Sequence, residues 1–446
     1  KICVSALFLM VGYHSQAANR YWYGTTNTTF STASNWSSSN TVYTPTTAPG
    51  NLDIAFFGNY PGMTNVNCSL TTAINVLGMQ LVAGYAGTIT ASTASLIHNI
   101  GTSGLIINAG TFTVKVASTI SNAGIFTITG GTYSINLTGA VTVTYGISGN
   151  FNQTGGTFSC TNYSGSIINV NVGGDMISSA GTFTAGNSTF KLKKGGAATL
   201  TGSPTFNNLT FNPATAGTWT IASSPIVNGL LEYIGTVTIT LNTGTINAKG
   251  NITIASTLPS GGGGTTNLQI NGSGTQTLTG NAVAGNGRLP AVTIACGTLR
   301  IAGTPSVAGN WTYTSGTVDA NYSSSNSTVV MCGTGDIDGQ GTSATMAFQN
   351  LIIYASGTTP VRKLAGNLIV NRNLTINSGI TFTTGVASSA AFNTNIGGTW
   401  SDAGTFTQIA TPSCTVTFDG ATYGAVSKTA ATETFTNLAV NKTVNG

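Results

Sequence analysis

The chain has 446 residues, of which 5% are charged, 40% are hydrophobic and 59 are glycine. Globular domains carry about 25% charged residues and about 7% glycine, so this composition argues against an ordinary soluble enzyme. The net charge of +5 is scattered, with one cluster at Lys191, Lys193 and Lys194, which argues against the continuous basic surface that nucleic-acid binding requires.

The first 18 residues have the pattern of a secretory signal peptide. Lys1 precedes an apolar run at residues 2–13, and small residues follow, ending at Ala17 and Ala18. We therefore predict cleavage after Ala17 or Ala18, and a secreted or cell-surface location. The run is too short to span a membrane, and no later stretch is apolar enough to form a membrane helix.

Residues 19–90 differ from the rest of the chain and contain Trp22 and Trp36. A repeat array needs an atypical end that covers its open core and its open strand edge, and large aromatic side chains suit that purpose. We predict that residues 19–90 form an N-terminal cap with the first strands. A sugar-binding role for these tryptophans is the alternative.

Residues 91–446 consist of short runs in which apolar residues alternate with threonine, separated by glycine and asparagine. Alternation indicates strands with one buried face, and Gly/Asn corners permit tight turns between them. The pattern predicts an all-β fold, a parallel β-helix or β-solenoid. Over the whole chain after the signal peptide, residues 19–446, we expect roughly 17–20 coils of about 20–25 residues each, giving a rod roughly 80–95 Å long. The glycine run at 261–264, after Pro259, is predicted to be a flexible loop that protrudes from the rod.

A long phrase recurs within the array: it opens with Gly-Asp or Gly-Asn, passes through Gly-Thr-Phe or a variant, and ends in Phe-x-Asn-Leu. The Phe and Leu of its last part are expected to line the core, and the Asn to stack along the rod and share hydrogen bonds. The residues concerned are Phe206, Asn208, Leu209, Phe348, Asn350, Leu351, Phe435, Asn437 and Leu438.

The cysteines and histidines do not indicate a metal site or a catalytic triad. Without the signal peptide five cysteines remain, Cys68, Cys160, Cys296, Cys332 and Cys414, and their number and spacing fit neither a disulfide framework nor zinc. We expect them to be buried as small apolar residues. A single disulfide bond between cysteines of neighbouring coils is the alternative. His98 is expected on the outer face of a strand.

The carboxylates are mostly isolated. Polysaccharide-degrading β-helices need acidic residues that face one groove. The closest pair here is Asp336 and Asp338, on one face of a strand, and two carboxylates are too few to hold calcium unless neighbouring coils add oxygen ligands. Asp175 and Asp402 are expected to bond to local backbone at corners. We therefore predict no catalytic site and no cofactor, and keep Asp336 and Asp338 as weak metal candidates.

The chain resembles a family of large secreted surface proteins of Bacteroidetes and related bacteria. The resemblance rests on Trp22-x-Gly24, Asn35-Trp36, Asp53 and Asn67-Cys68 at the start, and on the repeated Gly-Thr-Phe and Phe-x-Asn-Leu phrases. It implies a Gly/Thr/Asn-rich β-solenoid with an adhesin-like role, and a place within a longer surface protein. We accordingly expect a structural stalk or matrix component with glycans or other cell-surface molecules as partners. A glycan-binding β-helix, and then a lyase or glycoside hydrolase, are the alternatives.

Overall fold

The computed structural model describes residues 17–161, 163–319, 321–322, 327–340, 342, 344–358, 360–421, 424–429 and 432–443. The predicted signal peptide lies almost entirely outside these residues. Strand makes up 52% and helix 1%, and the strands stack in parallel as a β-solenoid of about 16 turns. The predicted fold class is therefore confirmed. At about 4.8 Å per turn the rod is about 75–80 Å long.

A 3₁₀ helix spans Ala33–Asn35, and all other described elements are strands. The first strands are β1 (Asn19–Trp22), β2 (Trp36–Ser37), β3 (Ile54–Phe57), β4 (Cys68–Leu70), β5 (Asn75–Leu81), β6 (Thr88–Ala91), β7 (Ile97–Ile107), β8 (Thr111–Val114), β9 (Thr119–Asn122), β10 (Phe126–Ile128), β11 (Thr132–Asn136), β12 (Thr142–Ile147), β13 (Phe151–Thr161), β14 (Ile167–Val172) and β15 (Met176–Thr184). The middle strands are β16 (Thr189–Leu192), β17 (Gly196–Gly202), β18 (Thr205–Phe206), β19 (Asn208–Phe211), β20 (Gly217–Ile221), β21 (Ile226–Val227), β22 (Leu231–Tyr233), β23 (Ile239–Asn242), β24 (Thr245–Ala248), β25 (Ile252–Ile254), β26 (Asn267–Ile270), β27 (Thr275–Thr279), β28 (Ala291–Ala302), β29 (Ser306–Val307) and β30 (Trp311–Asp319). The last strands are β31 (Thr328–Cys332), β32 (Gly335–Asp338), β33 (Asn350–Tyr354), β34 (Val361–Leu364), β35 (Leu368–Val370), β36 (Leu374–Ile376), β37 (Thr381–Thr383), β38 (Gly385–Val386), β39 (Ala390–Ala391), β40 (Thr394–Ile396), β41 (Trp400–Asp402), β42 (Thr405–Thr407), β43 (Val416–Gly420), β44 (Val426–Lys428) and β45 (Leu438–Lys442).

Each coil has three sides, which we number in chain order. In one coil β13 supplies the first two sides: Phe151 pairs with Met176 of the next coil, and Phe158 pairs with Phe183. β14 supplies the third side and pairs with β12 of the preceding coil and β16 of the following one. Every side therefore forms a parallel sheet that runs along the rod, and each strand is held mainly by the coils before and after it.

Because side chains alternate along each strand, every second residue points into the coil, and these inward residues are mostly apolar. The inward residues form one hydrophobic cluster that includes Trp22 at one end of the rod and Phe418 near the other. At the start, β2 pairs antiparallel with β1, and Trp22 packs edge-on against Trp36 with ring centroids 5.2 Å apart. The aromatic side chains of the first segment thus belong to the apolar interior at that end of the described chain.

Four aromatic rings on the second side form a stack that we call the aromatic ladder: Phe112, Tyr133, Phe158 and Phe183. Successive rings are 5.3–5.7 Å apart and tilted by only 12–15°. Each ring follows Gly-Thr in the sequence. The Gly-Thr-aromatic triplet therefore repeats once per coil here, a shorter period than that of the long recurring phrase.

The Phe-x-Asn-Leu residues occupy related positions in three distant coils. Phe206, Leu209, Phe348 and Leu351 are fully or nearly fully buried, whereas Leu438 is 51% exposed and Phe435 only partly buried. Leu438 is exposed because β45 pairs with β43 and with no further strand among the described residues.

The expected ladder of stacked Phe-x-Asn-Leu asparagines is wrong, because Asn208, Asn350 and Asn437 lie several coils apart. Their amides instead bond to the backbone of the adjoining coils. Asn208 Oδ1 accepts the N–H of Leu230 at 2.7 Å, and Asn437 Nδ2 donates to the Cys414 carbonyl at 3.0 Å.

This link between coils is general at the corners. A side-chain oxygen of one coil accepts a backbone N–H of the next in the pairs Asn150–Asp175, Asp175–Thr199, Asn251–Thr277, Asn310–Asp336, Asn367–Asn393, Asn373–Thr399 and Asn393–Thr415, at 2.8–3.1 Å. The expectation that Asp175 bonds to local backbone is therefore wrong: its oxygen reaches one coil further. Corner N–H groups that no strand pairs would otherwise lack a protein acceptor.

The glycine run at 261–264 is not a protruding loop. Gly263 forms a parallel bridge with Thr240, and its carbonyl accepts the Leu241 N–H at 2.7 Å, so the run lies against β23 as part of a coil. A Cβ at Gly264 would lie 2.0 Å from the Leu241 carbonyl oxygen. Glycine is required here because the backbones approach closely with φ of +104°.

Candidate functional site

The nine carboxylates are distributed along the rod, and most bind a cation of a neighbouring coil. Five ion pairs occur among the described residues, with N–O distances of 2.5–3.7 Å: Arg20–Asp53, Lys194–Asp175, Arg300–Asp319, Lys363–Asp336 and Lys428–Asp402. The partners in four of these pairs are 19–27 positions apart in the sequence. They therefore tie successive coils together.

The weak metal candidates Asp336 and Asp338 share the outward face of β32. Asp336 lies 3.5 Å from Lys363, and Asp338 accepts a hydrogen bond from Gln340 at 3.4 Å. Burial raises the pKa of Asp338, because its Oδ1 is enclosed without a hydrogen-bond partner. In the part of the chain that the structure describes, no group of three His, Cys, Asp or Glu side chains is placed to hold a metal ion.

Two other carboxylates, Asp402 and Glu433, come together, and the sequence analysis missed this pair. Trp400 Nε1 donates to Glu433 at 2.9 Å, while Asp402 is buried beside Lys428 at 2.5 Å. Burial raises the pKa of Glu433; the Trp400 hydrogen bond opposes this rise, and Asp402 adds to it. The spacing in the sequence indicates only the ion pair of this cluster, because Asp402 and Lys428 are 26 positions, one coil, apart.

Glycosidases use two carboxylates that face one another across a groove. Here, however, the two oxygens of Asp402 are already bound, one by Lys428 and one by the N–H of Gly404 at 2.7 Å. Asp402 is 1% exposed and presents no oxygen to a groove. The contacts of Asp402, Lys428 and Glu433 are therefore suited to joining the last described coils.

The tryptophans do not form an exposed aromatic surface. All five are fully buried, and Trp22 and Trp36 donate to backbone carbonyls at 2.9 and 2.7 Å. The idea that exposed tryptophans stack on sugars is therefore wrong for this chain. Any contact of this kind must come from another aromatic residue.

His98 is also placed differently from the expectation of an outward side chain. Ile97 is 54% exposed, whereas His98 is fully buried in β7 and pairs with Ile120 of the next coil. The apolar Ile97 suggests that odd-numbered positions face the core at the start of β7. The inward positions instead begin at His98. Neither ring nitrogen has a hydrogen-bond partner among the described residues, and burial lowers the pKa of His98.

We expect His98 to make the fold sensitive to acid. The folded state resists protonation, whereas the unfolded state protonates near pH 6.5. The contribution of His98 is therefore fully present above about pH 6.5 and is lost as the pH falls towards the lower pKa of the folded state. Urea denaturation between about pH 5 and 8 should show a steeper loss of stability for the natural chain than for His98→Leu. Parallel curves for the two proteins would contradict this account.

The five cysteines outside the predicted signal peptide are buried free thiols. Burial raises the pKa of the Cys160 thiol to about 12 and that of Cys68 well above its usual value. Because the thiolate is the reactive form, we expect none of the five to react with a disulfide reagent at pH 8 until the protein unfolds. Mass spectrometry of a Cys3→Ser chain, labelled with and without urea, measures this. Rapid labelling of any of the five without urea would show that the coil around that residue opens.

A surface notch, made of two adjoining recesses, lies on the second side of the rod. It lies where the aromatic ladder ends, on both sides of Phe183, with volumes of about 280 and 230 Å³. Ser179 and Thr205 line one half, and Asn207 and Asn228 line the other. β15 pairs with β17 only as far as Ser178, so no described strand pairs with residues 179–184 on that side.

The notch forms because the coil contracts. Met176 and Phe190 are 14 positions apart, but their partners in the next coil, Leu200 and Leu209, are only nine apart. The shorter coil cannot supply a full strand beneath β15. Phe183 is consequently only partly buried, whereas the other three rings of the ladder are 0–3% exposed.

No family model, curated relative or solved structure matches this chain. The fold and the sites above therefore rest on the chain's own residues. Within the described residues, no helix has the length and apolar character needed to cross a membrane.

Proposed function

We propose that this protein is a secreted or cell-surface structural β-solenoid that serves as an adhesin-like stalk or matrix component. The observation that carries the proposal is the single apolar core that extends through the stacked coils from Trp22 to Phe418. A continuous core makes a long, narrow body that can hold a surface at a distance.

The use of charge supports the same proposal. Few residues are ionisable, and five of the nine acidic residues form an ion pair with a lysine or arginine. The buried ion pair Asp402–Lys428 also joins two neighbouring coils and does not line an open cleft. The outward positions of the strands are mostly threonine, serine and asparagine, which form an extended and nearly neutral surface.

The proposal predicts that antibodies against residues 17–443 label intact source cells. Cells that lack the gene should lose adherence to surfaces or to one another, and a Glu433→Gln chain should restore it as well as the natural chain does. A cytoplasmic protein serves as the control for cell integrity. Labelling only after permeabilisation would overturn the location, and failure of Glu433→Gln to restore adherence, at normal expression, would favour an enzyme.

A further inference from the structure

The last ring of the aromatic ladder offers a surface that the other three do not. One face of Phe183 stacks on Phe158, with centroids 5.3 Å apart and a tilt of 15°. Phe206 of the next coil meets it edge-on at 76°, and Phe190 lies 5.2 Å away at 52°. No described ring lies parallel to Phe183 on the side of the next coil, and the side chain is partly exposed there. The exposed part of this ring lines the notch, where it can pack against the C–H groups of a ligand.

Two side-chain amides lie next to this ring. Phe206 pairs with Val227, so Asn207 and Asn228, which follow them, are neighbours on successive coils, about 4.8 Å apart along the rod. Among the described residues neither side-chain amide has a hydrogen-bond partner, and Asn228 is exposed. Each amide can both donate and accept, which suits a ligand rich in hydroxyl groups.

The notch is also uncharged. Its lining consists of Ser, Thr, Asn, Gly, Ala, Pro and Phe residues. Neither a phosphate nor a carboxylate would find a counter-ion there. The two halves are each smaller than the roughly 300–1,000 Å³ of pockets that enclose whole small molecules. Such a site holds one ring while the rest of the ligand stays in solvent.

We propose that the notch binds a pyranose ring of a neutral polysaccharide. The C–H face of the sugar packs on Phe183, and its hydroxyl groups bond to Asn207 and Asn228. An extended peptide paired with the free edge of β15 is disfavoured, because Thr205 and Phe206 of the next coil lie below that edge and line the notch. This site goes beyond the proposed stalk function, which needs no ligand at this position.

Saturation-transfer NMR on the full chain tests the proposal, with cellohexaose, xylohexaose and maltohexaose as neutral probes. We expect at least one probe to bind with a Kd of about 1 mM, and to be detected at about 10 mM. Asn207→Ala/Asn228→Ala and, separately, Phe183→Leu should each weaken that binding at least tenfold. The leucine keeps an apolar side chain in the core while removing the ring.

Asn75→Ala/Asn99→Ala is the matched control, because these exposed asparagines are also register partners on successive coils but lie outside the notch. Its binding should equal that of the natural chain. Absence of transfer from all three neutral probes, or binding that persists in both notch variants, would overturn the proposal. Stronger binding of an oligogalacturonate would also overturn it, since the notch has no cation. None of these results bears on surface labelling of cells, so failure here is distinguishable from failure of the proposed function.

Discussion

Replacing Arg362 with methionine should destabilise the coils around it by about 3–5 kcal/mol, because several buried carbonyl groups would lose their only side-chain donor. Arg362 is fully buried. Its guanidinium lies within hydrogen-bond distance, 2.6–3.2 Å, of five corner carbonyls of the two preceding coils: those of Val307, Ala308, Gly309, Cys332 and Gly333. The two hydrogens of Nη2 are shared among Val307, Ala308 and Cys332. Burial lowers the pKa of Arg362 to about 10, so the group is still charged at neutral pH.

Lysine should not replace this arginine. Its ammonium group has three donors on a flexible stem, whereas the guanidinium has five in a fixed plane. We expect Arg362→Lys to destabilise these coils by most of the amount expected for Arg362→Met. Lys363→Met is the matched control: its side chain is 42% exposed and, within the described residues, forms an ion pair with Asp336 alone, so its effect should stay below about 1 kcal/mol.

Hydrogen exchange of the amides in β31, β32 and β34 measures the effect where it arises. In a stacked array the loss should be local, because each coil is held by its neighbours. Equal exchange in Arg362→Met and Lys363→Met would contradict the assigned role. Uniform loss of protection in the first coils as well would show that the array unfolds as one unit.

Replacing Phe158 with alanine should cost about 3–5 kcal/mol, the range for removing a large aromatic ring from a core. The ring stacks on Tyr133 and Phe183 and meets Phe151 edge-on at 5.3 Å, so three coils lose contacts together. Ser159→Ala, the next residue and an outward one, should change stability by less than about 0.5 kcal/mol.

Urea denaturation and hydrogen exchange together measure the Phe158→Ala effect. Amides of β11, β13 and β15 should lose protection, while those of β36 and β41 should keep it. A smaller loss of stability than that of Ser159→Ala, or a loss of amide protection confined to the distant coils, would mean that the aromatic ladder does not stabilise the second side of the rod.

The fold could be predicted from the sequence because its local rules are simple. Alternating apolar and threonine residues define strands, and Gly/Asn corners define where they turn. The number of coils was overestimated, at 17–20 against about 16, because the first segment and longer connections such as residues 281–290 contain residues that add no coil. Composition does not distinguish a corner from a longer connection.

The polar residues of the interior could not be predicted in this way. Arg362 and His98 lie in strands where a charged or polar side chain would ordinarily face water, and only the register of the neighbouring coils turns them inward. The same is true of Asp402, whose cation is one coil away. The notch at Phe183 depends on a change in coil length, which becomes visible only when strand partners are known.

The central claim is that successive coils stack in register along one axis, and distances between spin labels test it most directly. One row of outward positions leads through strand partners from Asn75 by way of Lys191 to Ala302, with five coil steps in each half. Labels at Asn75 and Lys191, and at Lys191 and Ala302, should each be about 24 Å apart, and labels at Asn75 and Ala302 about 48 Å apart. Additive distances of this size support the solenoid; an end-to-end distance no longer than either half would contradict it.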